Sequence, residues 1–321
     1  MYTIIGAGMA GLLAGNMLRS KNAQVIEAAE EIPNNHSSVL RFRTSIVGDA
    51  LDIPFSKVKM VKSVHPWRNP VADNLAYSRK CTGIATLRSI ITADGDLVDR
   101  YIAPGNLIGI MADQLSGRTT LNKSFDIDDI KDHSGPIIST IPMPTLMTIL
   151  KYEKPNEFIQ VNGSTINCFL DNVFAFASVY VPDPEFPFSR VSLTGNKLTI
   201  ELPSPGAAMM EIYEFVNTLK EHERFRLRII FQALFCLGID ENSINSDISI
   251  NVQKYAKILP IDEEERRRFI VWASNNHDVY SLGRFATWRP GLLLDDLVND
   301  IRVIRKLIDG GSDYDHRKKN F

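Results

Sequence analysis

The spacing of apolar positions at the start of the chain predicts a β–α–β unit. Residues 2–5 form a short apolar run that is typical of a buried strand, and residues 9–18 carry apolar side chains at helical spacing. A second apolar run follows at residues 24–26. Because a strand followed by a crossover helix usually pairs in parallel with the next strand, these elements predict part of a parallel sheet.

Later segments extend this sheet and add a second one. The apolar run at residues 136–141 predicts a short buried strand, and residues 119–125 predict another. Residues 158–201 are rich in β-branched and aromatic side chains with turn dipeptides between them, which predicts antiparallel sheet. Residues 292–308 place their apolar side chains on one face, which predicts a long helix near the end.

The chain of 321 residues has the length of two domains, and the order of the elements predicts that the domains are interleaved in sequence. The fold class we expect is α/β. A Rossmann-like nucleotide-binding domain is predicted from residues 1–50, 101–150 and 245–321. A β-rich substrate domain is predicted from residues 51–100 and 151–244.

Charge and cysteine content narrow the class of function. The net charge of −2 favours neither nucleic acid nor an anionic membrane surface as a partner. The three cysteines lie far apart and no His/Cys cluster has ligand spacing, so we expect neither disulfides nor a metal site. No apolar run approaches the ~20 residues that span a bilayer, and strand residues begin by Tyr2 without a leader segment. We therefore expect a cytoplasmic protein with a small-molecule substrate.

The turn between the first strand and the first helix is a candidate phosphate site. It carries a GxGxxG motif, in which Gly6 permits a tight turn, Gly8 lets backbone approach a pyrophosphate and Gly11 lets the helix pack close. The intervening Met9 and Ala10 begin the helix, where free N–H groups attract phosphate. Glu27 ends the second strand, 21 residues after the first glycine, where a carboxylate accepts hydrogen bonds from an adenosine ribose. The motif alone leaves FAD and NAD open.

Four segments of the chain are similar to those of one enzyme superfamily. They read GAGMAGLLAG at 6–15, IISTIP at 137–142, VPDP through PFSRV at 181–191, and LGRFATW at 282–288. In this order they resemble the FAD-dependent superfamily of amine oxidases, protoporphyrinogen oxidases and UDP-galactopyranose mutases. The resemblance covers nearly the whole chain, and it implies that the nucleotide is FAD.

The resemblance also implies roles for residues near the end of the chain. The fingerprint glycines would hold the FAD pyrophosphate and Glu27 the adenosine ribose. Gly283 and Arg284 would lie along the pyrophosphate and the flavin. Asp295 or Asp296, at the start of the last helix, would meet the ribityl chain, and the spacing leaves open which of the two does so.

The region after Glu27 departs from the family, which usually has a Gly-Gly pair there. This chain instead carries Arg41 and Arg43, either of which would replace backbone contacts with a charged contact to phosphate or flavin. Phe125, at the end of a predicted strand, would contact the adenine. Arg190 is either a clamp for an anionic substrate or a solvated strand arginine.

The leading hypothesis is an amine oxidase-like FAD-dependent oxidoreductase. Its reaction would be hydride transfer to flavin N5 from a C–N or C–C bond of a small molecule or a modified nucleoside. The alternative is a non-redox flavoenzyme similar to UDP-galactopyranose mutase, in which arginines hold a diphosphate. A third possibility is a nucleotide-binding protein without catalysis. No side chain is assigned as catalytic acid or base.

Overall fold

A computed structural model describes residues 1–32, 41–85, 95–153 and 157–318. The strands form a parallel sheet of five and a mixed sheet of eight, and helices pack on both, so the α/β fold class is confirmed. The long helix predicted near the end is present as well. The helices are α1 (Met9–Met17), α2 (Ile46–Leu51), α3 (Pro70–Thr82), α4 (Leu107–Asp113), α5 (Ile127–Asp132), α6 (Met143–Ile149), α7 (Met209–Glu221), α8 (Glu223–Leu237), α9 (Glu263–His277) and α10 (Leu294–Lys318).

The parallel sheet contains the β–α–β unit that the sequence predicts. Its strands are β1 (Thr3–Ile5), β2 (Gln24–Ile26), β6 (Thr119–Thr120), β7 (Ile137–Ser139) and β13 (Val279–Ser281). Their order is β13-β7-β1-β2-β6, and every pairing is parallel. The strand predicted over residues 119–125 is shorter than expected, because only its first two residues pair with β2.

The last residues of three neighbouring strands lie side by side in the parallel sheet. Ile5 of β1 is in register with Ser139 of β7, which is in register with Ser281 of β13. The turns that follow β1 and β13 therefore leave the sheet at the same edge. In open α/β sheets this carboxyl edge is where ligands bind.

The mixed sheet has the order β12-β8-β11-β10-β9-β4-β5-β3. Its strands are β3 (Arg41–Phe42), β4 (Ser56–Val64), β5 (Asp96–Ile102), β8 (Gln160–Leu170), β9 (Ala175–Tyr180), β10 (Arg190–Gly195), β11 (Lys197–Ser204) and β12 (Ile244–Ile258). Because β12 pairs with β8, residues 244–258 belong to this sheet, whereas the boundary predicted at residue 245 assigns residues 245–258 to the nucleotide-binding domain. β3 likewise extends the sheet into the segment before residue 50.

The two faces of the mixed sheet differ in polarity. On one face, apolar strand residues pack against α7 and α8 in a core that includes Ile166, Ile200, Leu219 and Ile230. The opposite face carries buried polar side chains, and we call it the polar face: its strand residues include Arg41, Asn167, Ser178, Tyr180, Arg190, Ser192, Thr199 and Glu201. Helix α3 covers part of this face, since its Tyr77 packs edge-on against Tyr180 with ring centroids 5.5 Å apart.

Candidate functional site

The glycines of the fingerprint turn are required by its geometry at two positions. Gly6 has a φ of +97°, and a β-carbon there would lie 2.2 Å from Oγ1 of Thr140. A β-carbon on Gly11 would lie 1.8 Å from the carbonyl oxygen of Gly6. Backbone hydrogen bonds hold the turn, because Gly6 donates its N–H to the carbonyl of Ile26 at 2.8 Å. The chain therefore leaves β1 in a sharp turn that only glycine permits.

The space beside Gly8 is open, and it lies at the start of α1. Among the residues that the structure describes, no atom lies within 4 Å of a β-carbon built on Gly8, so their side chains do not fill this position. Gly8 is also the N-cap of the helix, and no side chain caps the first turn. The N–H groups of Met9 and Ala10 thus lie among those without an intrahelical acceptor. An open backbone surface with free donors and a positive helix end fits a pyrophosphate.

Glu27 joins the end of β2 to the fingerprint turn. Its Oε2 accepts a hydrogen bond from the N–H of Ala7 at 2.7 Å, and its Oε1 accepts one from the N–H of Ala29 at 3.0 Å. The side chain is half-buried at the carboxyl edge of the sheet. Each carboxylate oxygen can accept a second hydrogen bond, so the group keeps acceptor capacity for the hydroxyls of a ribose.

The segment after β13 lies directly against the start of α1. Leu282 donates its N–H to the carbonyl of Ser139 at 2.9 Å, which continues the sheet to its edge. Gly283 follows with a φ of +99°, and a β-carbon there would lie 3.1 Å from the Cβ of Ala10. The guanidinium of Arg284 donates to the carbonyl of Leu292 from Nε at 3.2 Å and from Nη2 at 3.0 Å. Arg284 thereby holds the loop that leads into α10.

The two aspartates at the start of α10 have different roles in the structure. Asp295 accepts hydrogen bonds from the N–H of Arg43 at 3.2 Å, from the N–H of Thr44 at 2.8 Å and from the hydroxyl of Thr44 at 2.7 Å. Asp296 instead accepts the N–H of Leu293 at 2.9 Å and so caps its own helix. Asp295 therefore connects α10 to the segment after β3, where Arg43 is exposed.

The predicted contact residue Phe125 is only 9% exposed and lies in a hydrophobic core with Ile5 and Ile26. Its ring is edge-on to that of His133. Trp288, the last residue of the LGRFATW segment, is 1% exposed and donates its indole N–H to the carbonyl of Leu259 at 2.8 Å. Both aromatic side chains pack in the interior of the protein.

A buried ion pair lies on the polar face. Arg190 donates from both Nε and Nη2 to Oε1 of Glu201, and the two side chains are 25% and 14% exposed. Burial opposes ionisation of Glu201, but Arg190 and Lys257 outweigh it and lower the pKa of this carboxyl to about 2. The positive charge of Arg190 is therefore balanced within the protein, which favours the interpretation of a structural strand arginine over a free clamp.

Arg41 lies on the same face, where its guanidinium contacts side chains of the mixed sheet. Its Nη2 donates to the hydroxyl of Ser192 at 3.0 Å, and its Nη1 lies 3.4 Å from Sδ of Met60. Burial, and then the nearby charge of Arg190, lower the pKa of Arg41 to about 10. The sequence did not indicate that Arg41 would lie on the polar face, because its neighbours come from strands that are distant from it in sequence.

Within the described ranges, no group of three His, Cys, Asp or Glu side chains has the arrangement of a metal site. No helix there combines the length and apolar composition that a bilayer crossing requires.

Solved structures share this architecture at low sequence identity. A reduced UDP-galactopyranose mutase superposes with a TM-score of 0.68 at 12% identity, covering 96% of this chain and 93% of that chain. A p-nitrophenol 4-monooxygenase from Pseudomonas putida DLL-E4 gives a TM-score of 0.55 at 11% identity, covering 97% and 80%. An aklavinone-11 hydroxylase in complex with FAD and aklavinone gives 0.53 at 12% identity, covering 96% of this chain and 62% of that chain.

No protein-family model and no curated protein sequence matches the chain. The structural likeness defines the class of fold: a Rossmann-type nucleotide-binding sheet joined to a β-rich second sheet, as in these flavoenzyme structures.

Proposed function

We propose that the chain binds FAD at the fingerprint turn and is a flavin-dependent oxidoreductase. One observation carries the proposal: the open backbone at Gly8, the acceptor Glu27 and the turn at Gly283 meet at one edge of the parallel sheet. Each element alone occurs in proteins without a nucleotide, but together they match the needs of a dinucleotide. The complex of aklavinone-11 hydroxylase with FAD, which shares the fold, supports the choice of FAD.

In this proposal, different residues of the chain bind different parts of the cofactor. The N–H groups of Met9 and Ala10 bind the pyrophosphate, and Glu27 accepts the ribose hydroxyls. The start of α10 points its positive end toward the flavin, which favours negative charge there. Of the two aspartates, Asp295 is the better candidate for the ribityl chain, because Asp296 caps its own helix.

The polar face of the mixed sheet supplies the substrate surface in this proposal. It is lined by hydroxyl, amide and charged side chains, and α3 covers part of it. Bound FAD would supply a hydride acceptor at N5, and the substrate would be a small molecule or modified nucleoside that loses a hydride from a C–N or C–C bond. The protein's part is to orient that bond and to exclude water.

A comparison of two glycine-to-aspartate variants tests FAD binding. At Gly8 the backbone is extended, with φ −70° and ψ −179°, and the position is an N-cap, where aspartate is favoured. Gly8→Asp should therefore fold, but its carboxylate would repel the pyrophosphate. We expect purified wild-type protein to develop a flavin band near ~450 nm on titration with FAD. The Gly8→Asp variant should bind FAD at least about 100-fold more weakly.

Gly105→Asp is the matched control, because Gly105 is exposed and a β-carbon there would meet no atom of the described residues within 4 Å. It should bind FAD like the wild type. Wild-type protein that binds no FAD, or a Gly8→Asp variant that binds as tightly as the control, would contradict the proposal.

The same flavin-loaded protein separates the alternatives. Reduction of the flavin band by amines, amino acids or modified nucleosides without added reductant supports the oxidoreductase. Turnover of a UDP-sugar only after reduction by dithionite supports a mutase-like reaction instead. The pairing of Arg190 with Glu201 weighs against this second reaction, because the charge of the arginine considered for the diphosphate clamp is already balanced.

A further inference from the structure

The polar face carries more positive than negative charge around Arg41. The charge of Arg190 is balanced by Glu201, which lies in direct contact with it. Among the residues that the structure describes, no carboxylate oxygen lies within 4.0 Å of the Arg41 guanidinium, whose neighbours are the neutral Ser192 and Met60. Arg190 and Arg100 disfavour the charge of Arg41, whereas Glu201 and Tyr180 favour it without a direct ion pair, and burial with Arg190 outweighs them so that the pKa of Arg41 falls to about 10. A buried cation without a counter-charge is unfavourable and is normally paired.

Arg41 is not fully buried. The residue as a whole is half-buried, so part of it remains exposed to solvent. Buried hydroxyls of Ser178 and Ser192, 3.4 Å apart, continue the polar surface next to it. The ring of Tyr180 lies beyond them, with the Arg190 guanidinium 5.9 Å from its centroid. The surroundings thus offer donors that an oxyanion can share.

Arg41 lies close in sequence to a residue that contacts the start of α10. Arg43 is two residues further along, and its backbone N–H binds Asp295 at the start of α10. Arg41 therefore lies where the mixed sheet meets the helix end that points toward the flavin in the proposed function.

We propose that Arg41 binds an anionic group of the substrate, a carboxylate or a phosphate, on the polar face of the mixed sheet. The inference rests on the proposed flavoenzyme function and assigns Arg41 to the substrate instead of the cofactor. The planar guanidinium offers paired donors to an oxyanion, and the excess positive charge beside it attracts one before contact. Arg190, whose charge Glu201 already balances, positions Tyr180 and does not bind the anion.

Anion titrations of the wild-type protein and two glutamine variants test the inference. The probes are benzoate for a carboxylate and inorganic phosphate for a phosphate, each measured against chloride at equal ionic strength. Binding is followed by calorimetry on FAD-free protein and by perturbation of the visible spectrum on FAD-loaded protein. Arg41→Gln removes the charge, and Arg228→Gln on an exposed position of α8 is the matched control.

We expect at least one probe to bind the wild type, and the Arg41→Gln variant to bind it at least about tenfold more weakly. The affinity for FAD should stay within about twofold in both variants. The probe that binds identifies the source of the anion. Binding of neither probe to the wild type, or equal binding to Arg41→Gln, would overturn the inference. An Arg41→Gln variant that loses FAD affinity would overturn it as well, because Arg41 would then be a cofactor contact.

The Arg41→Lys variant provides a second test of the inference if the Arg41→Gln variant does not fold. Lysine keeps the charge but lacks the paired planar donors, so benzoate should bind roughly three- to tenfold more weakly. Unchanged benzoate affinity in this variant would contradict the inference when benzoate is the probe that binds. Phosphate affinity that survives in Arg41→Lys but not in Arg41→Gln would support it. Wild-type protein that binds an anion but no FAD would contradict the proposed function alone, since calorimetry on FAD-free protein decides the role of Arg41.

Discussion

The carboxylate of Glu27 accepts the backbone N–H of Ala7 at 2.7 Å, which ties the end of one parallel strand to the turn that follows its neighbour. The second oxygen accepts the N–H of Ala29 at 3.0 Å. Glu27 thus shapes the fingerprint turn before any nucleotide binds. Glu27, which the motif spacing predicts as a ribose ligand, therefore also has a structural role that the motif alone does not indicate.

Replacement of Glu27 should therefore affect both stability and FAD affinity. Glu27→Ala leaves two backbone donors without their acceptor, and we expect a loss of about 1–3 kcal/mol in the free energy of unfolding. FAD affinity should fall at least about tenfold, because the ribose also loses its acceptor. Urea unfolding and FAD titration measure the two effects. Glu30→Ala, on an exposed neighbour, should change neither, and a stable Glu27→Ala variant with normal FAD affinity would refute both roles.

Substitution by alanine should lower the stability of the folded protein far more at Gly11 than at Gly8. A β-carbon on Gly11 would lie 1.8 Å from the carbonyl oxygen of Gly6, so Gly11→Ala must move the turn or the helix. We expect a loss of about 3 kcal/mol or more in the free energy of unfolding. Gly8→Ala meets open space and an allowed backbone conformation, but alanine is a poorer N-cap than glycine, so the variant should fold within about 1 kcal/mol of the wild type. Thermal unfolding of the two variants measures this difference. Equal melting temperatures would show that the turn accommodates a β-carbon more easily than its geometry implies.

The strand, turn and helix around the fingerprint could be predicted because their determinants are local. The strand, turn, helix and following strand lie within residues 2–27, and the glycine spacing reports a geometry that only glycine permits. The close approach of Gly283 to Ala10 joins distant parts of the chain, and the sequence pattern gave no sign of it. The fold class follows from the same element pattern.

The polar face could not be predicted, because its members meet through long-range strand pairing. Arg41 pairs with Ile102 in β5, while its side chain reaches Ser192, 151 positions further along the chain. Strand alternation indicates that Arg190 and Ser192 share a face, but not which residues lie opposite them. Similarly, the pairing of β12 with β8 sets the true extent of the mixed sheet, and nothing within residues 244–258 announces that partner.

The ion pair between Arg190 and Glu201 should make stability depend on pH in the acid range. The pKa of Glu201 falls from its ordinary 4.5 to about 2 in the folded protein. A carboxyl with a lowered folded pKa contributes stability above its unfolded pKa and loses that contribution as pH falls through the folded one. Urea unfolding should therefore show a decline attributable to this pair between about pH 4.5 and pH 2. In Glu201→Gln this part of the decline should vanish.

The same variant should be unstable at neutral pH. Glu201→Gln leaves Arg190 buried without its counter-charge, and breaking such a pair typically costs about 3–5 kcal/mol. The matched control is Glu263→Gln, whose carboxylate pairs with Arg266 and Arg267 on an exposed helix surface. An exposed pair of this kind contributes at most about 1 kcal/mol. Similar losses in the two variants would mean that the Arg190–Glu201 pair is more hydrated than its burial indicates.

Removal of the charge at Arg41 should instead stabilise the protein. Burial and the charge of Arg190 lower the pKa of Arg41 to about 10, so the unfolded chain holds this proton more firmly than the folded one. The resulting penalty is present in full at neutral pH and is relieved only as pH rises through the folded pKa. Arg41→Met keeps the length of the side chain without its charge. We expect the free energy of unfolding to rise by about 1 kcal/mol at pH 7.

Such a gain in stability is expected when a buried charge contributes to binding and not to folding. The gain should disappear, or reverse, when the wild type is measured in the anion that Arg41 binds, because that ligand stabilises only the protein that holds it. Arg228→Met, at an exposed position on α8, should change stability by less than about 0.5 kcal/mol with or without the anion. A loss of stability in Arg41→Met of more than that amount would show that its contacts with Ser192 and Met60 outweigh the burial of its charge, and Arg41 would then be a structural residue of the sheet.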